Sequence, residues 1–301
     1  MDNQEELNYL GMLDRILKTG AERGDRTGVG TYSVFGTQLR FSLENNVVPM
    51  LTTKKIFLKS VVEELLFFLR GETDTKNLEA KGSNIWRSNT TREFLDKRGL
   101  VDLPEGDMGK SYGFQWRNAG GKITSGKYDA NKPSPMNRYA DGVDQLSQVI
   151  ETLKTNPNDR RMIICAWNPK QIPEMALPPC HLLVNFYADK GNLSAQFYMR
   201  SVDSFLGLPF NILSYALLTR IVAQTVGMQA KELIFVGGDT HIYANHLEPV
   251  REQLSRQPFE FPTLNITASL NTVSDIEKLA LSDFKIENYQ CHPAIKAEMA
   301  I

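Results

Sequence analysis

Ala176-Leu177-Pro178-Pro179-Cys180-His181-Leu182-Leu183 joins a stiff turn to an apolar run. Proline fixes φ and lacks an N–H, so the backbone before Cys180 has little freedom. Residues 182–188 and 193–200 are predicted to form a hairpin about Asp189-Lys190-Gly191-Asn192, whose glycine and asparagine suit a turn. A thiol at a rigid strand start, followed by histidine, has the setting of a nucleophile. The plainer reading is a small buried cysteine, since free cysteine is among the most buried residue types.

Working outward, Arg200-Ser201-Val202-Asp203-Ser204-Phe205-Leu206-Gly207-Leu208-Pro209-Phe210-Asn211 ends the hairpin and opens an apolar helix over 209–226. Leu7, Leu10, Leu13, Ile16 and Leu17 have helical spacing over 5–19. Arg23-Gly24-Asp25-Arg26-Thr27-Gly28-Val29-Gly30-Thr31 is a glycine-rich loop with no helix pattern after it, which argues against a dinucleotide fingerprint. A strand is predicted over 31–43, a strong helix over 56–70, and short helices over 75–81 and 91–98. A helix over 144–154 and a strand over 162–167 follow. Residues 118–142 are rich in Gly, Lys, Ser, Pro and Asn and read as a surface insertion. Later come a short strand over 233–237, an amphipathic helix over 242–255, and strands over 264–270 and 284–286. The mixed order fits α+β better than a regular parallel sheet.

Composition narrows the partners. The 301 residues are 42% hydrophobic and 23% charged, as in an ordinary globular protein. A net charge of -1 gives no global reason to expect nucleic acid or an anionic membrane. The acidic start has no apolar run of a signal peptide, and no stretch is long and apolar enough to span a membrane. Cys165, Cys180 and Cys291 are widely spaced and suggest no disulfide framework, so a cytoplasmic compartment is the default. The four histidines form no zinc spacing with them, and no metal site is expected.

Several side chains have chemistry to offer. Glu63 and Glu64 lie inside an apolar helix, where an unpaired charge is costly. They read either as a structural ion pair or as a catalytic carboxylate with a raised pKa. Arg26, the tandem Arg160-Arg161, and Arg200 beside Ser201 are candidate phosphate forks, although each alone reads as a solvated charge. Asn211 near a helix start is a cap, or an amide that can both donate to and accept from the N3–H and O4 edge of a uracil.

On these strings the chain resembles the folate-dependent thymidylate synthases over nearly its whole length. The resemblance rests on residues 25–31, Thr52-Thr53-Lys54-Lys55, Glu63-Glu64-Leu65-Leu66, Tyr112-Gly113-Phe114-Gln115-Trp116-Arg117, Asp159-Arg160-Arg161, the Pro-Pro-Cys-His turn, residues 200–211, Gly238-Asp239-Thr240-His241-Ile242-Tyr243 and His292-Pro293. It implies one α+β domain over 1–301, with a large twisted mixed sheet flanked by helices and two subunits packed sheet to sheet. It implies that Cys180 adds to C6 of dUMP, and that C5 then takes a one-carbon unit from 5,10-methylenetetrahydrofolate. Arg200 would lower the thiol pKa. Glu64 would move protons and Tyr112 would order water near C5. Asn211 would fix the base, and His241 and Tyr243 the sugar hydroxyl. Arg26, Arg200 and Ser201 would hold the 5′-phosphate, with Arg160 and Arg161 entering the site of the other subunit of a homodimer. Asp203 would bond the pterin, Trp86, Leu206, Gly207 and Phe210 would line the folate pocket, and the tail with Ala300 would close over it.

Some positions depart from the family pattern. Met199 stands where the family has Gln, and Trp86-Arg87 where it has Trp-Asp. Phe67, Lys110, Ser111 and Asn185 are also unusual. They fall around the base and the folate side, which keeps a relative's chemistry in view: a hydroxymethylase, in which water instead of hydride captures the C5 methylene. A non-catalytic nucleotide or RNA binder would need neither Cys180 nor Glu64.

Overall fold

The computed structural model describes residues 3–123 and 139–299. Ala300 and most of the 118–142 insertion lie outside the described residues. The chain runs through α1 (Gln4–Thr19), β1 (Ala21–Arg23), β2 (Thr31–Ser42), α2 (Leu58–Leu69), α3 (Lys76–Ala80), α4 (Arg92–Lys97) and α5 (Tyr112–Asn118). Next come the short pair β3 (Lys122–Ile123) and β4 (Tyr139–Ala140), then α6 (Gln145–Thr155), β5 (Ile163–Cys165), β6 (His181–Asp189), β7 (Asn192–Asp203) and α7 (Gly207–Thr225). β8 (Gln229–Tyr243), α8 (Leu247–Leu254), β9 (Thr263–Ile266), α9 (Val273–Lys278) and β10 (Phe284–Glu287) complete it.

Six strands form one mixed sheet in the order β1-β2-β8-β7-β6-β5. Every neighbouring pair is antiparallel except β7 and β8, which are parallel. α7 joins that parallel pair. It is buried on nearly every side, as its continuous apolar run requires. Helices cover one face of the sheet, and Phe41, Phe197 and Phe235 fill the space between. The architecture is α+β, as read from the sequence.

The helix read over 242–255 is corrected. Residues 229–243 are one long strand, and the helix begins only at Leu247. β2 and β7 flank β8, so a stretch rich in glycine and polar residues is held by ladder bonds on both sides. The strand read over 233–237 is therefore the middle of a much longer one. α5 and α9 had not been foreseen. α5 is buried at all seven of its positions, so it shows no amphipathic period.

One buried carboxylate ties the N-terminal helix to the Thr52-Thr53 turn. Glu6 is fully buried and accepts from the backbone N–H and the hydroxyl of both Thr52 and Thr53, at 2.7 to 3.0 Å. Apart from the Thr52 hydroxyl, which also reaches Phe259 O at 3.4 Å, these donors have Glu6 as their acceptor, and a buried donor left without one is costly. Glu6→Gln replaces one acceptor oxygen with a donor, and should lower the unfolding free energy by about 2 to 4 kcal/mol in urea titration. A loss under about 0.5 kcal/mol would show that the turn is held otherwise.

Candidate active site

Cys180 sits where the Pro178-Pro179 turn meets β6, partly buried at the floor of a cavity of about 660 Å3. The backbone N–H of Arg200 donates to Cys180 O at 2.9 Å, pairing the strands there. The guanidinium then folds back on the turn. Its Nε donates to Pro179 O at 2.8 Å, its Nη2 to Pro178 O at 3.0 Å, and Nη2 lies 3.7 Å from Cys180 Sγ. Gly238 on β8 lies close against the Arg200 backbone, where a Cβ would come within 2.8 Å of Arg200 O.

The expected lowering of the thiol pKa is not realised here. Burial pushes the Cys180 thiol up, and Arg200 and Arg26 only pull it part of the way back. The thiolate is the reactive form.

A second chain of contacts reaches Cys180 from α2. Glu64 Oε1 accepts Trp86 Nε1–H at 2.8 Å. The Trp86 ring lies 5.9 Å from that of Tyr112, and Tyr112 Oη accepts the Cys180 N–H at 2.8 Å. Tyr112 is stacked on His181 at 3.9 Å, and His181 Nδ1 lies 2.7 Å from Tyr215 Oη. Burial lifts the Glu64 carboxyl from 4.5 to about 7, with the Trp86 N–H pulling the other way. Neither glutamate faces open solvent. Glu63 pairs with Lys81 at 2.8 Å, so the ion-pair reading fits Glu63 and the raised-pKa reading fits Glu64.

Basic side chains outnumber acidic ones around the cavity, with apolar surface from Phe94, Leu177 and Pro178 between them. Arg26, Arg200, Ser201, His241 and Tyr243 all line it. His241 and Tyr243 are two apart on β8 and point the same way, which the long strand explains and the predicted helix would not. Asp239 was not singled out from the sequence. Its carboxylate receives Ser33 Oγ at 2.8 Å, Arg23 at 2.9 Å and approaches His241 Nδ1 at 3.0 Å. Arg23, Lys97 and Arg98 also border the cavity and carried no signal beyond being charged. Arg160 and Arg161 do not line the cavity of their own chain, and Arg161 is bonded to Asp159 at 2.5 Å.

Asn211 lies inside α7 rather than capping it, and a Cβ on Gly207 would stand 3.9 Å from its Oδ1 and 3.6 Å from Asp203 Cβ. Asp203 Oδ1 accepts the N–H groups of Phe205 and Leu206, leaving Oδ2 without a hydrogen bond from the described residues. Leu206, Phe210 and Trp86 are partly exposed. No group of His, Cys, Asp or Glu among the described residues is arranged to hold a metal, and no helix among them is long and apolar enough to cross a membrane.

A thiol held at a strand start, a carboxyl poised near neutrality and a basic cavity can together perform covalent nucleophilic chemistry on an anionic small molecule. The chain belongs to the thymidylate synthase family, whose model matches residues 7–301. It is 50% identical over 296 residues to the thymidylate synthase of Homo sapiens, covering 98% of this chain and 91% of that one. It is 48% identical over 296 residues to the thymidylate synthase of Herpesvirus ateles, covering 98% of each. It is 49% identical over 301 residues to a bifunctional dihydrofolate reductase-thymidylate synthase of Leishmania major, spanning 99% of this chain but only 56% of that protein.

Two outcomes follow from the electrostatics. Alkylation of Cys180 by iodoacetamide, read by peptide mass with Cys180→Ser as control, should rise about tenfold per pH unit between pH 6 and 8, because only the thiolate reacts. A flat profile would show a thiol already ionised. Glu64 holds its proton more tightly when folded than when unfolded, so its ionisation costs stability as pH rises from 4.5 to about 7. Glu64→Gln keeps the acceptor for Trp86 and should gain up to about 3 kcal/mol at pH 8, with no gain below about pH 4.5.

Proposed function

We propose that the chain transfers a one-carbon unit from 5,10-methylenetetrahydrofolate to C5 of dUMP, giving dTMP and dihydrofolate. The observation that carries this reading is the convergence on Cys180 of two contact chains, one from Arg200 and the basic cavity, the other from Glu64 through Trp86 and Tyr112.

The Cys180 sulfur adds to C6 of the uracil as thiolate, which makes C5 a carbon nucleophile. C5 bonds to the methylene carbon of the folate. The C5 proton passes to water near Tyr112, and the bond from the methylene to the folate nitrogen breaks. Hydride from the folate then reduces the methylene to methyl while the sulfur leaves C6, so the folate is oxidised as the carbon is reduced. Glu64, with a pKa of about 7, can both give and take protons at neutral pH.

Arg26, Arg200 and Ser201 hold the 5′-phosphate in this reading. Asn211 reads the base edge, its amide making no hydrogen bond to the described residues. Asp239 takes the Nδ1 side of His241, which turns Nε2 to the sugar hydroxyl beside Tyr243. The free Oδ2 of Asp203 suits the N–H groups of a pterin, with Trp86, Leu206, Gly207 and Phe210 against the flat rings. Residues 1–301 act as one catalytic domain.

The departures from the family pattern other than Ser111, whose buried hydroxyl has no hydrogen-bond partner among the described residues, support methylation, because their side chains are turned to other work. Arg87 pairs with Glu79 at 2.5 Å and Lys110 with Glu174 at 2.7 Å. Met199 and Phe67 are buried in the core, and Asn185 bonds Met162 O at 3.0 Å. We also propose a homodimer through the uncovered face of the sheet. Tyr187 and Ile163 are 67% and 41% exposed there, and Leu183, Tyr198, Ile234 and Val236 share that face. Arg160 and Arg161 precede β5 at the edge of this surface, from which they reach the partner's phosphate site.

Incubation with dUMP and methylenetetrahydrofolate, with both products identified by mass, tests the reaction. Thymidylate with dihydrofolate is expected, and Cys180→Ser should lose it by at least about a thousandfold. Hydroxymethyl-dUMP with tetrahydrofolate would replace hydride by water as the last step, and turnover by Cys180→Ser would remove the covalent step.

A further inference from the structure

The segment after β10 is fastened back onto the body of the protein at several points. His292 N–H donates to Thr52 O at 2.7 Å, and Arg256 Nη1 to Pro293 O at 2.7 Å. Farther along, Glu298 O lies 2.6 Å from His246 Nε2. A carbonyl only accepts, so Nε2 carries the proton.

The other side of that ring is unusual. His246 is wholly buried, packed against Phe205 and Tyr243 with centroids 5.6 Å away in each case. Its Nδ1 has no hydrogen-bond partner among the described residues and lies 4.0 Å from Asp203 Oδ1. A buried nitrogen without a partner is costly, and an apolar side chain would fill the same space without that cost. Packing alone does not account for a histidine here.

What the ring joins gives it a use. The turn that carries Asp203 is fixed from below by Tyr9 Oη on Ser204 O at 2.8 Å, and by the buried Lys54, whose Nζ donates to Phe205 O. His246 touches both this turn, at Phe205, and the segment ending at 299, at Glu298. We propose that His246 is a positioning residue. It holds the Glu298 carbonyl through Nε2 and packs its ring on Phe205, whose N–H is bonded to Asp203 Oδ1, so that Oδ2 faces the pterin only when the C-terminal segment is seated. Seating thereby sets whether the C5 methylene meets hydride or water. This inference rests on the proposed pterin-binding role of Asp203.

The test uses the full chain with His246→Asn and His246→Gln. Asparagine is too short to reach Glu298 O, whereas glutamine can place an N–H near the position of Nε2. Thermal melts establish that both variants are folded. His246→Asn should raise KM for methylenetetrahydrofolate about tenfold, the loss of one well-placed hydrogen bond, while KM for dUMP stays within about twofold. It should also divert product from thymidylate to 5-hydroxymethyl-dUMP, which general destabilisation would not do. His246→Gln should restore both. Unchanged folate KM and clean thymidylate in folded His246→Asn would overturn the inference, as would equal rises in both KM values, or no difference between the two variants. Wild-type protein that makes no thymidylate would overturn the site reading as well, whereas the other results strike the inference alone.

Discussion

The guanidinium of Arg200 closes the turn at Cys180, and much of the site hangs on that closure. Pro178 and Pro179 precede β6, whose ladder begins at His181, so their carbonyls need donors from outside that ladder. Arg200 supplies both donors from one planar fork, while its own backbone pairs with Cys180. Hydrogen bonds from a charged donor contribute about 1.5 to 3 kcal/mol each. The same group lies beside the sulfur and borders the cavity, so one side chain holds the turn at Cys180, acts on the thiol's pKa and offers a face to an anion. The antiparallel pairing of β6 with β7 is what places the fork beside the turn.

Stability is traded for chemistry at two neighbouring groups. Burial disfavours ionisation of both Cys180 and Glu64. An isolated pair of such groups would be a defect. Here the carboxyl keeps a donor in Trp86, and the thiol keeps Arg200 within 3.7 Å. The core around them is aromatic and well filled, with Phe68, Trp116, His181 and Tyr215 in ring contact. Such a frame can hold a carboxyl near neutral pKa without letting it collapse onto a cation.

Much of the site was legible in the sequence, for a physical reason. The residues cluster in short strings whose local geometry is nearly forced: two prolines before a cysteine, an arginine ending the opposite strand, an asparagine in the first turns of a helix. Where partners come from distant strands, the reading ran out. The polar run at 229–243 looks unlike a strand because its support is β2 and β7, not its own propensity. α5 was missed because burial on all sides erases the helical period. Asp239, Lys54 and His246 are ordinary charged or polar residues in sequence, and only the fold places them against His241, Phe205 and Asp203. The direction of the Cys180 pKa was also beyond reach, since it depends on how burial weighs against two arginines.

In the proposed reaction Cys180 bonds to C6 of the pyrimidine while C5 takes up the folate carbon. A 5-fluoro analogue of dUMP tests it directly, because fluorine cannot leave C5 as a proton does and the reaction should stop with all three components joined. Intact mass after mixing with methylenetetrahydrofolate should show one nucleotide and one folate per chain, mapped by digestion to the peptide holding Cys180. An unmodified chain, or a nucleotide on Cys165 or Cys291, would contradict the account.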